Sequence, residues 1–180
     1  MASPASSRSA LLIVDMQVGL FNGPEKPYEG ERVLDNIQQL IRKARSASAP
    51  IFAVRHTGPA GSPIAAGSAL WQLLPALELD PALDTLFDKT RPSSFFATGL
   101  AQQLNDVGIK HLVIVGMKTQ FCIDTTCRVA VESGFDVTLV ADAHTCMDTP
   151  QLSAKMIIEH HNATLGAALV KRLDTAQVRF

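Results

Sequence analysis

The sequence predicts an α/β fold: a three-layer α/β/α sandwich around a mostly parallel sheet of roughly six strands. Three observations lead there. Short, continuous apolar runs alternate along the chain with segments whose apolar residues recur at helical spacing. That is the pattern of repeated crossover units, which lay helices on both faces of a parallel sheet. The chain has 180 residues, 47% hydrophobic and 18% charged, enough for one domain with a full core and too apolar for a disordered chain. No internal repeat or linker interrupts the series.

The elements follow in order. Residues 1–9 are small and polar and predict a flexible tail ahead of a domain over 10–180. Residues 10–15 (ALLIVD) are a strand buried on both faces. Residues 21–30 hold Gly23, Pro24 and Pro27 and read as a turn. Val33, Leu34, Ile37, Leu40, Ile41 and Ala44 then mark a helix, with Lys43 and Arg45 near its carboxyl end, where cations are favoured. Residues 50–56 (PIFAVRH) form the second strand. Residues 58–68, rich in Gly, Ala, Ser and Pro and without a period, suit a lid or a subunit contact.

Residues 85–89 (TLFDK) make a third strand, and Leu100 and Leu104 place a helix over 99–107. Residues 111–116 (HLVIVG) are the strongest strand in the chain. A helix over about 121–133 follows, closed by Gly134 as its left-handed cap. Residues 136–142 (DVTLVAD) are the fifth strand, 151–162 the last long helix, and 167–170 a sixth strand.

Composition excludes several functions. Sixteen basic and seventeen acidic residues leave a net charge of -1, which builds no field for nucleic acid. No stretch approaches the roughly 20 apolar residues of a membrane span. Three cysteines, an odd number, argue against a disulfide scaffold and for a reducing cytoplasm. The expected partner is a small molecule.

In parallel sheets ligands collect at the carboxyl ends of the strands. That rule selects Asp15, His56, Lys89, Gly116 and residues 142–144. Cys122 stands six residues beyond Gly116, in the first turn of the next helix. Unpaired amides there favour a thiolate and can hold an oxyanion, so nucleophile and oxyanion hole come from one turn. A cysteine, a carboxylate and an ammonium on one sheet edge form a coherent acyl-transfer set. Cys127 falls on the core face as a packed thiol, and Cys146 reads as a small filler.

Asp15 in LLIVDMQ, Lys89 in FDKTRPSSF and Cys122 in VGMKTQFCIDTTCRVAVESGFDVTLVADA resemble the three signatures of the isochorismatase-like cysteine hydrolases. The likeness runs from about Ala10 to the C-terminus. It implies the isochorismatase-like hydrolase fold and an Asp15–Lys89–Cys122 triad. It also implies a non-proline cis peptide between Met117 and Lys118, with the Lys118 and Cys122 amides as the oxyanion hole. The family includes nicotinamidases, carbamoyl-amide hydrolases, streptothricin hydrolase and isochorismatase itself, and it favours a homo-oligomer.

The implied activity is cleavage of a small amide-type C–N bond through a thioester. Alternatives are a vinyl-ether hydrolase of the isochorismatase type, or a non-catalytic, redox-responsive thiol protein. A nucleotide binder is disfavoured because VGLFNGPEKP lacks a glycine-rich phosphate loop. The nicotinamidase branch binds a metal near the second strand. Here AVRHTGPAGSP offers His56 alone, so neither a metal nor another cofactor is expected. Candidate pocket residues are Gln17, Phe21, His56, Trp71 and Phe121. The aromatics among them read equally as core, and His56 as a structural group. His111 reads as surface, His160 as packing beside Leu152 and Met156, and His144 as either a site or a structural residue.

Overall fold

The computed structural model describes residues 8–180. Six strands, β1 (Ser9–Val14), β2 (Ile51–His56), β3 (Thr85–Lys89), β4 (His111–Met117), β5 (Asp136–Thr145) and β6 (Lys171–Leu173), form one sheet. Its order is β3-β2-β1-β4-β5-β6, and every neighbouring pair is parallel. Five helices cover it: α1 (Val18–Phe21), α2 (Gly30–Ser46), α3 (Leu100–Asp106), α4 (Asp124–Glu132) and α5 (Ala154–Ala168). This is the α/β sandwich that the alternation of runs predicts.

The two faces of the sheet divide the core. Leu11 and Ile13 of β1, with Val113 and Val115 of β4, pack under α2 through Val33, Leu34, Ile37, Leu40, Ile41 and Ala44. Leu12 and Val14, with Leu112 and Ile114, pack against α3, α4 and Leu165 of α5. Strand residues point alternately to opposite faces. Strands apolar on both faces therefore occupy the middle of a covered sheet.

From β1 the chain builds outward to β2 and β3, then returns to the far side of β1 for β4. The reversal opens a crevice beyond the carboxyl ends of β1 and β4, where open α/β sheets bind ligands. Gly116 makes that junction possible. Its φ is 121°, and a Cβ there would sit 2.1 Å from the Val14 carbonyl oxygen. Glycine tolerates both the angle and the approach.

Several boundaries differ from expectation. The expected tail over 1–9 falls mostly outside the described residues, but Ser9 opens β1 and the Arg8 carbonyl accepts from the Lys110 and His111 amides. Residues 167 and 168 are the last of α5 rather than strand, and β6 begins at Lys171. α5 starts at Ala154, where the Ser153 hydroxyl accepts from the Met156 amide as its N-cap. His160 is exposed, as are Leu152 and Met156, because α5 buries Ala154, Ile157, Asn162 and Leu165 instead. His111 is not a loose surface group: its Nδ1 pairs with the Ser9 hydroxyl and its Nε2 with that of Thr138. The 58–68 segment folds back on itself, with the Gly58 amide donating to the Ile64 carbonyl at 3.0 Å.

Candidate active site

Three strand ends and one turn converge on the crevice. Asp15 follows β1 with φ 53°, a left-handed conformation uncommon outside glycine, and its side chain is 1% exposed. Lys89 closes β3 and is equally buried. Its Nζ donates to Asp15 Oδ2 at 2.7 Å and lies 3.4 Å from His56 Nδ1 and 3.3 Å from the Arg91 carbonyl. His56 ends β2 and is half-buried. Cys122 lies on a π-helical turn, Thr119–Ile123, that precedes α4. Among the described residues, one ligand atom each from Asp15, His56 and Cys122 lies within 4.8 Å of the others. The Met117–Lys118 peptide is cis.

Charge in this cluster follows from burial. Dehydration raises the Asp15 pKa, while the Lys89 ammonium draws it back. Burial, with the neighbouring Asp15 carboxylate, pushes the Cys122 thiol up to about 12. The expected easily ionised thiol at a helix start is therefore corrected: desolvation and the adjacent Asp15 carboxylate raise its pKa. His56 is pushed down, first by burial and then by Lys89, so it rests neutral at neutral pH. The Asp15 Oδ1 atom is buried with no hydrogen-bond partner. The Cys122 thiol beside it interacts with the carboxylate without a well-formed bond.

A buried network holds the π-helical turn from behind. His144, 1% exposed, pairs through Nδ1 with the Thr119 hydroxyl at 2.9 Å and through Nε2 with Asn162 Oδ1 at 3.1 Å. Asn162 Nδ2 in turn donates to the Ala141 carbonyl. Burial pushes the His144 imidazole down to about 4. A register break sets its place: Ile114 faces Leu139, but Gly116 already faces His144. The surplus residues of β5 at this break bring His144 in against the turn. Sequence left His144 undecided between site and structure, and here it supports the cysteine's turn.

The isochorismatase domain profile matches residues 9–169. This chain belongs to the isochorismatase family. It is 34% identical over 141 residues to streptothricin hydrolase of Streptomyces noursei, covering 78% of this chain but about half, 51%, of that protein. It is 29% identical over 175 residues to nicotinamidase 3 of Arabidopsis thaliana, covering 90% of this chain and 81% of that one. An isochorismatase from Pseudomonas putida KT2440 superposes with a TM-score of 0.88 at 27% identity, over 98% of this chain and 94% of the other. The protein is thus an isochorismatase-family hydrolase, and none of its described helices is long and apolar enough to cross a membrane.

Within this isochorismatase-family site, the candidate pocket residues separate. Gln17 is fully buried and tied to backbone: Nε2 donates to the His56 and Trp71 carbonyls, and Oε1 accepts from the His56 amide. It extends the β1–β2 pairing past the strand ends and presents nothing free to a substrate. Phe21, 4% exposed, packs in the core beneath α2. Trp71 is buried by Arg55, whose guanidinium lies 3.6 Å from its ring centroid, and its Nε1 donates to Thr57 Oγ1. Gln17 is thus held by backbone, Trp71 by Arg55 and Thr57, and Phe21 by the core. His56 stands in the cluster, and Phe121, beside Cys122, is 55% exposed.

Cys127 and Cys146 are fully buried, as expected. His56 was expected to be a solitary ligand. That expectation counted neighbours in sequence, whereas the fold brings Asp15 and Cys122 to it from other strands. A cleft of about 220 Å³ lined by Gly19, Leu20, Pro24, Lys118 and Met147 adjoins the turn. A larger one, about 660 Å³, lies away from this chemistry beside Arg42, Lys43 and Arg179.

Proposed function

We propose that the protein hydrolyses a small amide-type C–N bond through a thioester on Cys122. The buried Asp15–Lys89 pair set against the Cys122 thiol is the observation that carries this reading. Because the thiol rests protonated, attack needs a base at the moment of reaction, and Asp15 is the carboxylate in place. Its raised pKa brings it closer to the range where a base both holds and releases a proton.

In the first half-reaction Asp15 takes the thiol proton and Sγ attacks the carbonyl carbon. The amides of Lys118 and Cys122 receive the oxyanion, and Lys89 compensates the charge on Asp15. The tetrahedral adduct expels the amine, which leaves with the proton from Asp15. Water then gives a proton to Asp15 and attacks the thioester; the tetrahedral adduct expels the Cys122 thiolate, which takes that proton back from Asp15, leaving the acid, the free thiol and the ionised carboxylate. An isochorismatase-type vinyl-ether cleavage needs no nucleophile, so the thiol beside a base favours the amide. Similarity to a nicotinamidase supports the same choice.

The test pairs a screen of primary amides and carbamoyl compounds for ammonia release with intact-protein mass spectrometry. An acyl adduct on Cys122 and complete loss of turnover in Cys122→Ala, with an unchanged unfolding midpoint, are the expected results. Full activity in that variant removes the covalent mechanism.

A further inference from the structure

We propose that Asp15, His56 and Cys122 form a capture site for a thiophilic divalent cation of the zinc type, whose binding blocks the hydrolase. The three ligand atoms, one sulfur, one nitrogen and one carboxylate oxygen, lie within 4.8 Å of one another. Zinc takes this donor set in a tetrahedron, with the fourth position left to water. The ligands come from three separate elements, so the sheet edge holds them without any one loop having to fold around the ion.

A second observation points to a ligand independently. Asp15 is 1% exposed, yet its Oδ1 makes no well-formed hydrogen bond and has only the Cys122 thiol near the carboxylate to turn to. A buried carboxylate oxygen left so is costly, and an incoming cation would relieve that cost. Oδ2 is held by Lys89 at 2.7 Å, so the carboxylate is fixed through one oxygen and the other is left to take a ligand. Among the described residues, Lys89 is the opposing charge in contact with the cluster, at 3.4 Å from His56 Nδ1. It confines the ion to the Oδ1 and Sγ side, and the long Lys89–His56 contact gives way to the metal–imidazole bond.

The chemistry balances simply. The Cys122 S–H bond breaks, a sulfur–metal bond forms, and one proton passes to solvent. No electron is transferred. The imidazole binds through a ring-nitrogen lone pair. Capture stands on geometry alone; only the loss of turnover rests on the amide-hydrolase reading.

Titration of the metal-free full chain with zinc, by calorimetry, and with cadmium, by the ultraviolet thiolate-to-metal band, tests the proposal. One equivalent is expected to bind. The cadmium band should vanish in Cys122→Ser, since Cys127 and Cys146 are buried. Affinity should fall at least about tenfold in His56→Ala, judged by the loss that even outer-shell changes cause at metal sites. His56 is half-buried, so this variant is expected to fold, with circular dichroism as the check. Undiminished zinc affinity in folded His56→Ala, a cadmium band that survives Cys122→Ser, or no stoichiometric binding to the wild-type chain overturns the site. Stoichiometric capture in a chain that hydrolyses no amide sinks the reaction and leaves the site standing.

Discussion

A charged side chain 0% exposed, as that of Lys89 is, survives only because its partner is buried with it. Taking Lys89 away leaves Asp15 dehydrated and uncompensated. Burial already raises the Asp15 pKa and Lys89 lowers it, so the acid limb of the rate profile should lie above the usual aspartate range. It should move to still higher pH in Lys89→Met. The sign follows from needing the ionised carboxylate as base: rate is lost as pH falls through the Asp15 pKa. His160→Gln, at an exposed position on α5, serves as the control and should leave the limb in place. A limb that moves down in Lys89→Met, read from kcat against pH, refutes Asp15 as the base. Asp15, Lys89 and Cys122 were legible in sequence because each stands at or just past the end of a strand. The state of the thiol was not legible, since burial depends on what packs around the turn. For the same reason Gln17, Phe21 and Trp71 could not be sorted from true pocket residues before their partners were known.

Between elements, the informative feature is the extra length of β5. Strands β1, β2 and β4 were readable as short continuous apolar runs, and helix α2 because its apolar positions follow a clean period. Residues 143–145, which prolong β5, were not, because a bulge breaks alternation at the point where pairing resumes. α5 carried two competing apolar stripes, and tertiary packing chose the one with Ile157 and Leu165 over Leu152 and Met156. β6 is three residues at the sheet edge, held by backbone pairing with β5, and its sequence KRL has no strand signature.

The bulge makes a prediction about His144. Its pKa is depressed to about 4 from an ordinary 6.5, so it adds stability above pH 6.5 that is lost as pH falls through about 4. By linkage the loss is about 3 kcal/mol. In urea unfolding, His144→Gln should lose less stability than the wild type between pH 7 and pH 4, by roughly that amount. Turnover at pH 7 should also fall, as the Thr119 end of the cysteine's turn loosens. Equal acid sensitivity in both proteins refutes the buried neutral imidazole.

At the scale of the molecule, the sheet reverses its winding between β1 and β4, and the candidate base and nucleophile stand on opposite sides of that reversal. The alternation of runs made the fold class readable. It did not make readable that Gly116 must lack a side chain for the two halves to meet. Because the Lys89 ammonium lies sealed beneath the reacting atoms, its attraction for the carboxylate never passes through solvent. Mobile ions screen exposed charges over about 10 Å at 0.1 M, and sealed ones far less. For a neutral amide, kcat should therefore stay nearly flat as ionic strength rises from about 0.05 to 0.5 M. A several-fold decline in stopped-flow or steady-state rates would mean that small ions reach the pair, and that the enzyme borrows its counter-charge from the buffer rather than carrying it within.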